Sequence, residues 1–312
     1  MTDMKKSALA VFLLLVLMAC ARVGTSEPEP TDFRTGTQGL RLAFIPNLPP
    51  PRLFDREPLN VMLEVENLGT STVGGPLDTI YLSGFDPTII TGVSRYGKKI
   101  PLLEGRGPYM PQGGIDTVSF TATIASLSGR RIDRYDPTIL ATACYHYETV
   151  ASAQVCIDPN PYAPTRTERV CTPTTVGTGS QGAPIAVTSV EVEPAPGRTR
   201  FTIHIQNTGG GDVFRAESRY LDKCNPYNPG LSFNEIDFLE VLDVSVSGQD
   251  IRLTCRPLDD TGHIRLTNGQ ASLFCETSEL IGNTPYITPL NIVLSYGYRQ
   301  SIATNIEIRP VS

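Results

Sequence analysis

The sequence predicts an all-β chain in which two tandem β-sandwich domains follow a short exported leader and a tether. Three observations carry this. Beyond the first twenty residues the apolar runs are dominated by Val, Ile, Thr and Tyr, and none keeps a sustained helical period. The chain holds 27 Gly and 26 Pro among 312 residues, enough to punctuate many short strands with turns. An alternating segment that closes in Asn-x-Gly occurs twice, as VMLEVENLG at 61–69 and FTIHIQNTG at 201–209.

At the start of the chain, Lys5 and Lys6 precede an apolar run that reaches Ala19. A basic stretch, a short apolar core and small residues at the cut site mark a secretory signal over 1–19. The run is about 12 residues, whereas a membrane-spanning helix needs about 20. Its closing Leu17-Met18-Ala19-Cys20 resembles the lipobox of prokaryotic lipoproteins, with Met18 its less typical member. That resemblance implies cleavage before Cys20 and diacylglycerol on its sulfur, so that lipid on Cys20 holds the chain to the cell membrane or outer membrane. Two acyl chains suffice for stable anchoring. An ordinary signal peptide with Cys20 near the cut is the alternative. Residues 20–38, rich in Glu, Pro, Thr and Gly, have little to bury and read as a flexible tether.

The folded part divides into domain 1 over 39–157, a linker over 158–182 and domain 2 over 183–312. In both copies of the alternating motif one face is apolar, as in a sandwich strand. Asn and Gly then tolerate the backbone angles of a turn. Val73 and Val213 follow at equal distance. The ends of the halves match as well: ATACYHYETVASAQVCI at 141–157 aligns with IVLSYGYRQSIATNIEI at 292–308, placing Tyr145 and Tyr147 over Tyr296 and Tyr298. Each of these segments is expected to be a hairpin of two strands. A repeat of this length indicates a duplicated domain, not a solenoid.

Beyond Cys20 the chain has six cysteines, an even count that favours disulfides in an exported protein. No two show the close spacing of structural zinc ligands. In the repeat alignment Cys144 falls on Ser295 and Cys156 on Glu307, so both are missing together from the second copy. A turn at 149–151 would set Cys144 opposite Cys156, which predicts a bond between them. The remaining four are then expected to pair as Cys255–Cys275 and Cys171–Cys224, the latter tying the linker to a long loop.

Apolar alternation into Asn-x-Gly-x-x-x-Val, in tandem β domains of an exported chain, resembles the adhesion-related, immunoglobulin-like modules of prokaryotic surface proteins, including archaeal surface lipoproteins of two such domains. The resemblance implies immunoglobulin-like β-sandwiches and a scaffold or binding role at the cell surface. It brings no catalytic residues.

The search for chemistry is largely negative. A net charge of −6 without a basic block argues against nucleic acid as a partner. His146, His204 and His263 are not at ligand spacing. His204 stands where the first copy has Glu64 and is expected to face outward. Asp259 and Asp260 read as a solvated turn, since calcium needs more oxygens than they supply. Gly209, Gly210 and Gly211 lack the Lys of a phosphate loop and read as the turn after Asn207. Pro46, Pro49, Pro50 and Pro51 read as a rigid link between a first edge strand and the sandwich body. The candidate partner loop lies between Val213 and Val241 and carries Tyr220, Tyr227, Phe233 and Phe238; exposed aromatics on a disulfide-pinned loop suit a protein contact, whereas the favoured alternative makes Phe233 and Phe238 core positions. A second, lesser candidate is the loop 105–114 with Tyr109 and Met110.

The expected function is that of a membrane-anchored surface lipoprotein serving as a non-catalytic binding, adhesion or structural module, without cofactor or metal, for a protein or cell-surface partner. The alternative is an accessory lipoprotein subunit of a membrane-embedded secretion or pilus-type complex. An enzyme acting on glycans or peptides is the third class.

Overall fold

The computed structural model describes residues 33–163 and 169–311. The signal segment, Cys20 and most of the tether lie outside the described residues. Eight strands build the first half: β1 (Leu40–Phe44), β2 (Arg52–Phe54), β3 (Pro58–Asn67), β4 (Thr79–Ser83), β5 (Ile90–Thr91), β6 (Lys98–Lys99), β7 (Ile115–Ile124) and β8 (Thr138–Ile157). The second half holds β9 (Val176–Gly177), β10 (Ile185–Ala195), β11 (Arg198–Asn207), β12 (Asp212–Phe214), β13 (Phe238–Val246), β14 (Gln249–Asp250), β15 (His263–Arg265), β16 (Gln270–Thr277), β17 (Tyr286–Asn305) and β18 (Glu307–Arg309), with one short helix, α1 (Ser218–Lys223). The chain is all-β, as its composition predicts.

The two copies of the alternating motif are β3 and β11. Their apolar residues, Val61, Leu63 and Val65 in one and Phe201, Ile203 and Ile205 in the other, are buried, while the residues between them stay partly open. Each strand is central in a four-stranded sheet, β1-β3-β7-β5 in the first half and β16-β11-β10-β9 in the second. Asn67 and Asn207 then close each strand alike: the side-chain oxygen accepts the N–H of Gly69 or Gly209, and the amide donates to the carbonyl of Ser71 or Gly211.

The larger third sheet, in the order β14-β13-β17-β8-β4-β6, belongs to both halves. Its centre is β8 against β17, antiparallel and in unbroken register over all 20 residues, from Thr138 opposite Asn305 to Ile157 opposite Tyr286. This corrects the expected hairpins. Residues 149–151 are Thr, Val and Ala, with none of the Gly, Asn, Asp or Pro that a tight turn needs, and the chain runs straight through. The buried residues Ile139, Ala141, Ala143, Tyr145, Tyr147, Thr149, Ala151, Ala153 and Val155 keep one parity along the strand, so one face stays inward throughout. The 158–182 linker therefore does not separate two independent bodies. The described chain is one compact unit, and the apolar faces of the three large sheets meet in one continuous core.

The straight β8 also corrects two of the three expected disulfides. At about 3.3 Å per residue, Cys144 and Cys156 on one extended strand stand on the order of 40 Å apart, far beyond the roughly 4.4–6.8 Å between Cα atoms that a disulfide spans. Cys144 bonds Cys224 instead, with Cα atoms 6.2 Å apart, and Cys156 bonds Cys171 at 5.9 Å. Cys171 is thus unavailable to Cys224. The Cys255–Cys275 bond is present as expected, with Cα atoms 4.1 Å apart.

Candidate functional site

The seam between β8 and β17 is the most elaborate side-chain arrangement in the molecule. Tyr147 pairs with Tyr296 and Tyr145 with Tyr298, with His146 opposite Gly297 between them. The four buried rings form a closed square with neighbouring centroids 5.9–6.3 Å apart, edge-to-face or tilted, the geometry aromatic rings prefer. The repeat places Tyr145 on Tyr296 and Tyr147 on Tyr298, so the square has the twofold pattern of a dimer interface within a single chain.

The hydroxyls follow the same pattern. The Leu40 N–H donates to Tyr145 and the Ile185 N–H to Tyr296, at 3.4 and 3.3 Å. Leu40 and Ile185 are equivalent, each lying opposite the Asn of its motif. The Gln300 amide donates to the Leu40 carbonyl and the Thr149 hydroxyl to the Ile185 carbonyl, at 2.9 and 2.7 Å, each reaching from one half into the other. Tyr147 accepts the Ser71 N–H and Tyr298 the Gly211 N–H, so each grips the Asn-x-Gly turn of its own half. A side chain at Gly69 or Gly209 would collide with these hydroxyls, which is the physical reason for Gly in both motifs. Burial raises all four phenols: Tyr298 is pushed up to about 12, and Tyr145, Tyr147 and Tyr296 well above the ordinary value. The square is neutral and structural.

The candidate partner loop folds inward more than the sequence predicts. Cys224 bonds Cys144 on the outer face of β8, and Tyr81, Phe214, Tyr220 and Leu221 pack around that bond in a second, smaller core. Tyr220 is buried there, and the Tyr227 hydroxyl donates to the Leu82 carbonyl while the Asn225 amide donates to the Arg95 carbonyl. The loop of the second half is thus a clamp on the first, with Tyr220 buried and Tyr227 half-buried against it. Phe238 lies in β13 between the guanidinium groups of Arg215 and Arg265, 4.4 and 5.2 Å from the ring centre. Only Phe233 among the four is largely exposed, at 70 %, with Arg265 stacked 3.8 Å from its ring centre. In the other candidate loop Tyr109 is 99 % exposed.

The remaining polar candidates have structural partners. His146 donates its backbone N–H to Asp78 and shares a 2.9 Å bond with Ser295 through Nε2. His204 lies on β11 between Glu191 and Ser272. Asp259 caps its turn, accepting from the Thr261 N–H and hydroxyl, the His263 N–H and Arg215. Burial works to raise its pKa, but these donors outweigh burial and hold the carboxyl well below the usual range. His263 is 4 % exposed; its Nε2 faces Glu217 Oε2 at 3.9 Å, and neither atom has a hydrogen-bond partner. The described residues contain no group of three or more His, Cys, Asp or Glu that could hold a metal ion, and no described helix is long and apolar enough to cross a membrane.

One concave site was not anticipated from the sequence. A polar cleft of about 430 Å³ runs between the outer edge of β1 and the far end of β17, lined by Leu40, Leu42, Gly210, Gly211, Arg299 and Ser301 among others. Arg41 and Arg299 on its rim are already engaged, by Glu64 and Glu66 and by Asp212 respectively. Its position on a seam between two repeats, which only the β8–β17 register reveals, kept it out of reach of pattern reading.

No family model matches this chain, and no curated protein matches it.

Proposed function

We propose that the chain is an extracytoplasmic, membrane-anchored lipoprotein that serves as a non-catalytic binding, adhesion or structural module of the immunoglobulin-like, tandem-repeat kind. The observation that carries this reading is the set of three disulfides, one of which joins residues 80 apart. Such a set suits an oxidising compartment outside the cytoplasm. It agrees with the basic–apolar leader that ends at Cys20. Apart from the facing His263 Nε2 and Glu217 Oε2, the polar groups described above are spent on turns, the tyrosine square and strand pairs, which supports a scaffold over a reaction centre.

The test is fractionation of cells producing the full chain and a Cys20→Ala variant. The wild type is expected in membranes with acyl chains on Cys20 by mass spectrometry, and the variant released or left uncleaved. Equal processing and equal membrane recovery of the two would contradict the reading.

A further inference from the structure

The twofold pattern allows each strand edge to be compared with its counterpart, and one pair of counterparts differs. β1 and β10 are equivalent outer strands, with Leu42 opposite Val65 and Val187 opposite Ile205 in their respective motifs. Backbone groups alternate along a strand edge. The Gly39 carbonyl and the Ile45 N–H point toward β3, whereas both groups of Leu40 point away, to Tyr145 and Gln300. Leu42 has the parity of Leu40, so its N–H and C=O face outward too, into the cleft beside β17.

At Val187 the outward groups are fully occupied. Its N–H donates to Gln181 Oε1 at 2.9 Å, and its carbonyl accepts from Gln181 Nε2 at 3.1 Å and from the Thr178 hydroxyl. Just beyond, β9 pairs with β10 at Ser189 and Val190. Linker residues 176–181 thus cover the edge of β10 from Val187 to Val190, and the Gly182 carbonyl that follows receives the Thr70 N–H of the first half. At Leu42 neither outward group has a partner among the described residues, and no described strand is hydrogen-bonded along that side of β1. The molecule itself displays what fits such an edge: a short strand followed by a turn whose side-chain amide closes on one residue's N–H and C=O together.

We infer that the cleft between β1 and β17 binds an extended, uncharged polypeptide segment of a partner protein. The segment adds along β1 by main-chain hydrogen bonds, with a Gln or Asn side chain closing on Leu42 as Gln181 does on Val187. Charge recognition is not its basis, because Arg41 and Arg299 are already paired. The inference rests on the reading of the chain as a binding module. It fails separately from the membrane anchor, since it is tested in solution.

The probe is a synthetic peptide with the sequence of residues 174–183, TTVGTGSQGA, titrated into the isotopically labelled, disulfide-bonded chain. Without peptide, the Leu42 amide is expected to exchange with solvent on the order of 100-fold faster than the Val187 amide. Peptide at ten times its dissociation constant is expected to slow Leu42 exchange about tenfold, with saturable shifts at Leu42 and Ser301 and none at Val187. A peptide carrying the Gln181→Ala change is expected to lose this effect. The comparison leaves the protein's own fold unaltered. Slow Leu42 exchange in the chain alone would mean that the chain itself or a second copy already covers the edge, and would overturn the proposal. So would the absence of a saturable effect, or equal binding of the altered peptide.

Discussion

His146 lies directly opposite Gly297 at the centre of the β8–β17 pairing, and the two residues occupy the same position in their respective repeats. That coincidence fixes the pseudo-twofold axis. The contacts of the tyrosine square on one side have counterparts on the other, including the two tyrosine hydroxyls that hold the Asn-x-Gly turns. The exception sits on the axis itself. Gly297 leaves room for the Phe214 ring, which a side chain there would strike, while His146 bonds Ser295. Small differences of this kind turn a symmetric interface into a specific fold.

The symmetry predicts matched energetics. Tyr147→Phe leaves the Ser71 N–H without its acceptor, and Tyr298→Phe does the same to Gly211. Each is expected to cost about 1 kcal/mol, the low end of the penalty for an unpaired polar group, because Ser71 and Gly211 are half-buried. Urea unfolding monitored by circular dichroism checks this. Because the halves share one sheet, each variant should shift a single transition and not split it.

Alkaline pH should act through the same residues. Burial raises the folded-state pKa of Tyr145, Tyr147, Tyr296 and Tyr298, whereas in the unfolded chain they ionise near 10. Their contribution is therefore complete below about pH 10 and declines as pH rises toward and past 12, where the unfolded state binds fewer protons. Each tyrosine that ionises only in the unfolded chain adds ~1.4 kcal/mol of lost stability per pH unit. In a spectrophotometric titration these four phenols should appear late, with the unfolding transition.

The cross-half disulfide should matter more than the local one. Cys144 and Cys224 are separated by 80 residues and Cys156 and Cys171 by 15. In the chain-entropy account, closing the longer loop is worth about 4.5 kcal/mol and the shorter about 3. Replacing both cysteines of a pair by Ala, followed by equilibrium unfolding, should rank the two in that order. A larger loss from the Cys156–Cys171 pair would count against the clamp.

Several of these features were legible in the sequence. Alternation at 61–69 and 201–209 marks β3 and β11, because one-sided burial imposes a period of two on any such strand. The duplicated Tyr-x-Tyr was visible as well. Its pairing was not, since antiparallel register between residues some 150 apart leaves no local trace. The hairpin reading of 141–157 shows the same limit: strand composition says that a segment is extended but not whether it stops. The disulfides inherited that error, because two cysteines on one segment look adjacent until the segment proves straight. Tyr220 and Tyr227 looked like surface anchors for a related reason. Composition marks an aromatic loop, and only the Cys144–Cys224 bond shows which face it covers.

The central claim is that β8 and β17 run unbroken and fuse the halves into one sheet. Disulfide mapping of the unreduced protein by proteolysis and mass spectrometry tests it most directly. The account predicts Cys144–Cys224, Cys156–Cys171 and Cys255–Cys275. A Cys144–Cys156 bond would require the chain to turn back within β8, and would contradict it.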